Sequence, residues 1–275
     1  MCDACVMESV KERMLSRRSL FRGLAAAGAA SALGVAAGPA ASETQVRVLS
    51  KVEDMTHELT EDFPTFFGQQ QFFMDKKFDF AKDGFNLYEL RVNEHTGTHV
   101  DAPLHFSADG RSVSEIPVAD LVGPLCIVDI RERAAGDADA QVTPDDLKAW
   151  IAAHGPIPAG ACVAMNSGWS AHVKGPKFRN ADAEGKMHFP GFHIEATRML
   201  LEETQAAGIA VDTLSLDFGA SPDFATHYAW LPAGRWGLEA VTGLDRLPAA
   251  GATIVVGAPK HKGGTGGPAR VLALV

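Results

Sequence analysis

A layered α/β domain of the α+β kind is the architecture this 275-residue sequence predicts. Three observations carry that expectation. Short apolar runs with strand character recur along the chain, and only two stretches carry helix start and stop signals. No composition shift between residues 45 and 275 marks a linker, so one domain is expected over residues 43–275. With 46% hydrophobic and 21% charged residues, the chain has ordinary globular composition and enough length for a sizeable core.

Residues 1–42 stand apart from that domain. Arg17 and Arg18 open a basic run, SRRSLFR, followed by Ala, Gly, Leu and Val up to small residues at Ala40, Ala41 and Ser42. A charged start, an apolar middle and a small-residue exit describe a signal peptide, and the paired arginines resemble a twin-arginine export signal. The apolar run is poor in Leu and Ile and contains Pro39. This favours cleavage over retention as a membrane anchor, and periplasmic localisation is the expectation.

Cleavage would remove the Cys2-x-x-Cys5 pair and leave Cys126 and Cys162 in apolar runs, which reads as buried free thiols. It would also lower the 25 Lys+Arg and 34 Asp+Glu to 20 and 31, a net charge of −11. That acidic balance argues against a nucleic-acid partner, which would demand a basic surface.

The elements of the main domain follow in order. Val46–Leu49 and Val52–Met55 read as short strands. FPTFFGQQQFF, residues 63–73, has five Phe but neither period 2 nor 3.6. It is either a buried irregular segment or an aromatic wall over a pocket or dimer contact. Asn86–Asn93 alternates as a strand, and Leu125–Ile130 is another. Thr143-Pro144-Asp145-Asp146 combines a capping hydroxyl, proline in the first turn and acids against the helix dipole, predicting a helix to about His154. Ala161–Met165 is a strand ending in Asn-Ser-Gly-Trp. An amphipathic helix is expected from about Ile194 to Ala207. Val211–Leu216, Thr253–Val256 and Arg270–Leu274 complete the strands.

The chemistry concentrates in HTGTHVDAPLH, residues 95–105, with three histidines and one carboxylate in eleven residues. His95 and His99 have the i, i+4 spacing of two ligands on a helix face. Yet Thr96, Gly97 and Thr98 are poor helix formers, and Pro103 forbids an uninterrupted helix. An extended chain is expected instead. His95, His99, Asp101 and His105 are all odd-numbered, so a strand with a turn at Gly97 or Pro103 could aim them at one site. Two imidazoles and a carboxylate suit a catalytic divalent ion with an open position: zinc, manganese or iron. A second candidate pair, His227 and Glu239, is separated by a loop containing Pro232 and Gly234. The other histidines have no ligand-like spacing, although His193 could reach a pocket.

The pattern H-x-G-T-H-x-D-x-P-x-H resembles the signature of the cyclase-like metal-dependent hydrolases, which include bacterial kynurenine formamidases and isatin hydrolases. Supporting resemblances are DMTHELTEDFP, the NSGW after a strand, PGFHIEAT, TLSLDFG and the C-terminal LDRLPAAGATIVVGAPKHKGGTGGPARVLAL. The resemblance implies a swivelling β/β/α-type fold and a homodimer or homotetramer. It implies His95, His99 and Asp101 as metal ligands and His105 as the proton donor and acceptor. It also implies His227 and Glu239 in a second metal site that Asp101 and Glu239 bridge. One or two ions, Zn2+ or Mn2+, are implied. Formamidases have a substrate-stacking Trp where this chain has Thr65-Phe66-Phe67-Gly68, so Phe66 is the candidate replacement.

The expected reaction is metal-assisted hydrolysis of an amide or cyclic amide in a small, aromatic substrate. Phe66 and Trp169 would form the walls, and His105, at a near-neutral pKa, would pass a proton to the leaving nitrogen. A metal-dependent cyclase or lyase, and a non-catalytic periplasmic binding protein, are the alternatives.

Overall fold

Alternation of side chains on long apolar strands decides how this chain layers. The structure is a computed structural model that describes residues 51–275. The expectations for residues 1–42 and for Val46–Leu49 lie outside the described residues. Strands run in the order β1 (Val52–Asp54), β2 (Phe72–Phe78), β3 (Leu87–Val92), β4 (His99–Asp101), β5 (Val122–Asp129), β6 (Gln141–Val142) and β7 (Cys162–Asn166). They continue with β8 (Gly191–Phe192), β9 (Gly208–Val211), β10 (Trp236–Glu239), β11 (Ala252–Gly257), β12 (Gly266–Pro268) and β13 (Arg270–Leu274). The helices are α1 (Phe80–Asp83), α2 (Arg131–Gly136), α3 (Pro144–His154), α4 (Ile194–Glu203) and α5 (Ala225–Trp230).

Nine strands form one mixed sheet in the order β1-β13-β11-β5-β7-β9-β10-β4-β12. The centre, β5-β7-β9-β10, is parallel, and both flanks are antiparallel. Parallel neighbours need crossovers, and the helices supply them. Period 2 along each central strand divides its residues between two cores. Leu125, Ile127, Cys162, Ala164 and Ala210 face one cluster, while Cys126, Val128, Val163, Met165, Ile209 and Val211 face the other. Both cysteines are free and buried, as expected, and they belong to opposite faces.

The second cluster is closed by Leu147 and Trp150 of α3 and by Ala196, Met199 and Leu200 of α4. The first contains residues from both ends of the sheet, among them Val100 of β4 and Val271 of β13. The sheet therefore curls over that core. A bridge between Thr56 and Val241 ties the segment after β1 to the segment after β10. This layered α/β fold is the expected one.

The longer elements match expectation. Helix α3 begins on Thr143 with a reciprocal capping box to Asp146 and ends at Gly155. Two predicted elements differ. The strand expected at Val211–Leu216 is β9, Gly208–Val211, and it stops at Val211. From there the chain leaves the regular ladder: Thr213 O accepts from the Ala240 N–H and Leu216 O from the Phe192 N–H, and side chains take part in the other bonds. Asp212 accepts from the backbone N–H groups of Ser167 and Trp169, and the Leu216 N–H donates to Glu239 Oε1 at 3.1 Å. Helix α4 ends at Glu203, not Ala207. Thr204 turns back onto the Leu200 carbonyl, and the Ala207 N–H goes to Ala161 O beside β7.

Candidate metal centre

Two short antiparallel strands build the site. In the β4–β10 register His99 stands opposite Glu239 and Asp101 opposite Gly237, so His99, Asp101 and Glu239 share a face. His95 reaches the same place through a turn at Gly97, whose φ of +70° is a left-handed conformation that a side chain would disfavour. His227 arrives from α5. The N–H groups of Thr226 and His227 at the start of α5 both donate to the Asp217 carboxylate, at 2.8 and 3.1 Å.

The result is two three-residue groups sharing one carboxylate: His95, His99 and Asp101, then Asp101, His227 and Glu239. His95 Nδ1 lies 2.7 Å from Asp101 Oδ1, and His99 Nε2 lies 3.3 Å from the same oxygen and 3.4 Å from Glu239 Oε2. His227 Nε2 lies 3.2 Å from Glu239 Oε1 and 3.7 Å from Asp101 Oδ2. Asp101 is wholly buried, and His99, His227 and Glu239 are each buried.

The remaining ring nitrogens fix how these histidines face. His99 Nδ1 donates to Gly97 O at 2.8 Å, and His227 Nδ1 donates to Asp217 Oδ2 at 2.6 Å. The Thr265 hydroxyl donates to Glu94 Oε2 at 2.5 Å and so accepts from His95 Nε2 at 2.9 Å. Each imidazole is thereby held with its other nitrogen toward the carboxylates, the usual support behind a metal-ligating histidine.

These residues fit a divalent cation. His99 Nε2 and Asp101 Oδ2 are buried with no hydrogen-bond partner, a costly state unless something else satisfies them. The electrostatics agree. Burial opposes charge on His99, but the adjoining Asp101 and Glu239 carboxylates outweigh it and raise the ring to about 9. His227 is likewise raised despite burial, by Asp101, Asp217 and Glu239. Burial also opposes ionisation of Asp101, yet His99, His227 and His95 hold its carboxyl well below the usual range. Glu239 is raised by burial and by the Asp101 charge. The cluster thus attracts positive charge, which protons supply on the imidazoles and a metal ion can supply instead.

His105 stands beside this cluster rather than within it. It lies on a 3-10 turn, Pro103–Phe106, and its ring stacks on His95 with centroids 3.8 Å apart. Burial is the largest influence on it and brings it down to about 4, so the ring is neutral at pH 7. The near-neutral value expected from sequence is therefore corrected.

A cavity of about 350 Å3 opens onto the cluster. Its walls include Phe66, Phe67, Phe106 and Phe224, with His95, His99, His105, His227 and Glu239 at the reacting end. Phe66 is where the sequence reading placed an aromatic wall, and its ring packs 5.8 Å from that of Phe224.

Trp169 is not in the wall. It is 2% exposed, donates its indole N–H to Phe178 O, and packs with Phe63, Phe178, Phe189 and Leu214. Its own N–H is held by Asp212, which turns the loop after β7 inward. His193 is no pocket residue either, since its ring caps α4 by accepting from the Glu195 N–H.

Sequence reasoning missed Asp217, Thr265, Phe106 and Phe224. Asp217 had a signal, as the last polar residue of TLSLDFG. Phe224 had none, and its left-handed φ of +51° is imposed by the fold. Replacing Asp217 with Asn should weaken divalent-metal affinity about 10- to 100-fold, because the ring of His227 loses its orienting acceptor. Metal titration followed by calorimetry checks this, and unchanged affinity would deny Asp217 that role.

Several known proteins are similar to this chain. A family model described as "Putative cyclase" matches residues 53–218. An isatin hydrolase from Roseibium aggregatum is 35% identical over 194 residues, covering 67% of this chain and 73% of that protein. A kynurenine formamidase from Salinibacter ruber is 28% identical over 187 residues, covering 68% and 79%. The solved structure of isatin hydrolase A from Labrenzia aggregata, bound to benzyl benzoate, is similar at a TM-score of 0.77. It has 38% identity and covers 82% of this chain and 93% of that one. The chain therefore belongs to the putative cyclase family, as a metal-dependent hydrolase of non-peptide amide bonds.

Proposed function

We propose that this hydrolase opens a cyclic aromatic amide or removes the formyl group from an aromatic formamide, using one or two Zn2+ or Mn2+ ions. The observation that carries the reading is a metal-ligand cluster at the end of a pocket walled by four phenylalanines. A flat apolar ring suits such walls, and the carbonyl then meets the polar end. His95, His99 and Asp101 would hold one ion, and Asp101, His227 and Glu239 a second. A bound divalent ion supplies an acidified water at neutral pH and a Lewis acid for the carbonyl.

The protein's own groups do the rest. The aromatic walls position the ring and exclude water, and the carboxylates and imidazoles hold the charge. His105, kept neutral by burial, accepts a proton from the attacking water and passes it to the leaving nitrogen. Elemental analysis of the purified protein, with assays on isatin and N-formylkynurenine in water-18, tests the reading. One 18O per product is expected with one of these substrates. Turnover without 18O incorporation would mean a cyclase or lyase reaction, and no turnover with any divalent metal would favour a binding protein.

We also read the protein as exported through residues 1–42 to the periplasm, where N-terminal sequencing should find a start near residue 43. A homodimer fits the β2–β3 hairpin. This two-stranded ribbon exposes Met74, Leu87, Tyr88, Leu90 and Val92, and such a hairpin is marginal alone in water. It lies between Phe67 and Asn93, both of which line the pocket. Leu90→Arg should lower the mass measured by light scattering to that of one chain. A variant that keeps the wild-type mass would move the interface elsewhere.

A further inference from the structure

The buried polar atoms that lack partners are informative beyond the metal cluster. Among the described residues, three of them concern this site: His99 Nε2, of a residue lining the aromatic pocket, Asp101 Oδ2, of the cluster the pocket opens onto, and Ser215 Oγ, of a second lining residue. The first two are metal-ligand atoms. The third is a hydroxyl, 3% exposed as a residue, with neither donor nor acceptor capacity used inside the protein. Leaving a buried hydroxyl unpaired is costly, and a group left so at an active site points to a partner that arrives with the substrate.

The local chain places Ser215 at the reacting end. It follows β9 in the irregular stretch 212–217, whose backbone is pinned at both ends. Asp212 anchors the start onto the loop after β7, and Asp217 anchors the end onto α5. The neighbouring Leu216 N–H donates to Glu239 Oε1, so this turn lies directly against the metal cluster.

Elimination identifies what Ser215 can offer. A substrate carbonyl needs a donor, and several of the pocket's side-chain donors are engaged within the protein, while Asn93, whose Oδ1 accepts from the His95 N–H, is exposed. The Thr65 hydroxyl donates to Gln69 O, His99 Nδ1 to Gly97 O and His227 Nδ1 to Asp217. Phe66, Phe67, Phe106 and Phe224 have no donor. His105 is needed for the proton that moves.

We propose that the Ser215 hydroxyl donates a hydrogen bond to the carbonyl oxygen of the amide, and that this bond strengthens as negative charge develops there. The assignment rests on the amide-hydrolase reading of the pocket and adds a catalytic residue to it. A donor aimed at a developing oxyanion acts mainly on kcat, and losing one such donor lowers kcat about 100- to 1000-fold.

Ser215→Ala and the near-isosteric Ser215→Cys, measured beside wild type, test it. Ser215→Ala should lower kcat by about two to three orders of magnitude with KM nearly unchanged. Ser215→Cys, a weaker donor, should fall between. Metal content should stay at the wild-type level, and the Tm of Ser215→Ala should be equal or higher, because an unpaired buried hydroxyl has been removed.

Three results would each overturn the proposal. These are an unchanged kcat, a lowered Tm, which would mean an internal partner for the hydroxyl, or lost metal, which would reassign Ser215 to the ion. Wild-type turnover on the two amides is the control that tests the underlying reading separately. If wild type is inactive, that reading fails, while the metal and Tm results still judge whether Ser215 is unpartnered.

Discussion

Asp101→Asn should strip the divalent metal from the protein and abolish turnover while leaving the fold intact. Asp101 is the residue common to both ligand groups, and it is completely buried. The substitution keeps the shape of the side chain but removes its charge and offers an amide nitrogen to one side of the cluster. Three imidazoles, on His95, His99 and His227, then face a neutral group instead of a carboxylate. Metal affinity depends on that negative charge.

Loss of the ion removes several kcal/mol of charge stabilisation in the transition state, so activity should fall at least ~10³-fold. A chelator provides a readout independent of activity. A ligand that binds only the folded state raises its stability by about 2.7 kcal/mol at 100 times its Kd. Chelation should therefore lower the Tm of wild type and leave that of Asp101→Asn unmoved. Full metal occupancy in the variant would remove Asp101 from the ligand set.

His105→Ala should have the opposite signature, with metal retained and turnover lost. The ring of His105 stacks on that of His95 but belongs to neither ligand group. Burial holds it neutral, which leaves a lone pair ready for a proton in the pocket. A general acid–base group contributes about 10²- to 10⁴-fold, and kcat should fall by that range. Wild-type kcat with full metal would exclude His105 from proton transfer. Read together, the two variants separate binding of the ion from movement of the proton.

How much of this was legible locally depends on the length of each element. β5, β7, β11 and β13 have runs of apolar or β-branched residues long enough to signal themselves, and α3 carries its cap in Thr143 and Pro144. β4, β10 and β12 have three or four residues each and hold His, Asp, Glu and Gly. Such segments are strands only because a neighbour pairs with them. The parity argument for HTGTHVDAPLH is right for His99 and Asp101, which share a face of β4. His95 and His105 come to the site by the turns that reading allowed at Gly97 and Pro103, the second of them a 3-10 turn. Trp169 shows the limit plainly. An aromatic residue after a strand has the same local signal whether it faces a pocket or the core, and here Asp212 turns it into the core.

The sequence by itself determined the layered α/β class, the candidate ligand types and the position of the candidate site, because spacing and residue chemistry are local properties. Only the tertiary structure decided that Glu239 stands opposite His99, that Asp217 and Thr265 orient the rings and that Ser215 lacks a partner. Those facts depend on strand register and on contacts between residues up to 170 positions apart, which come into being only when the sheet closes over its core.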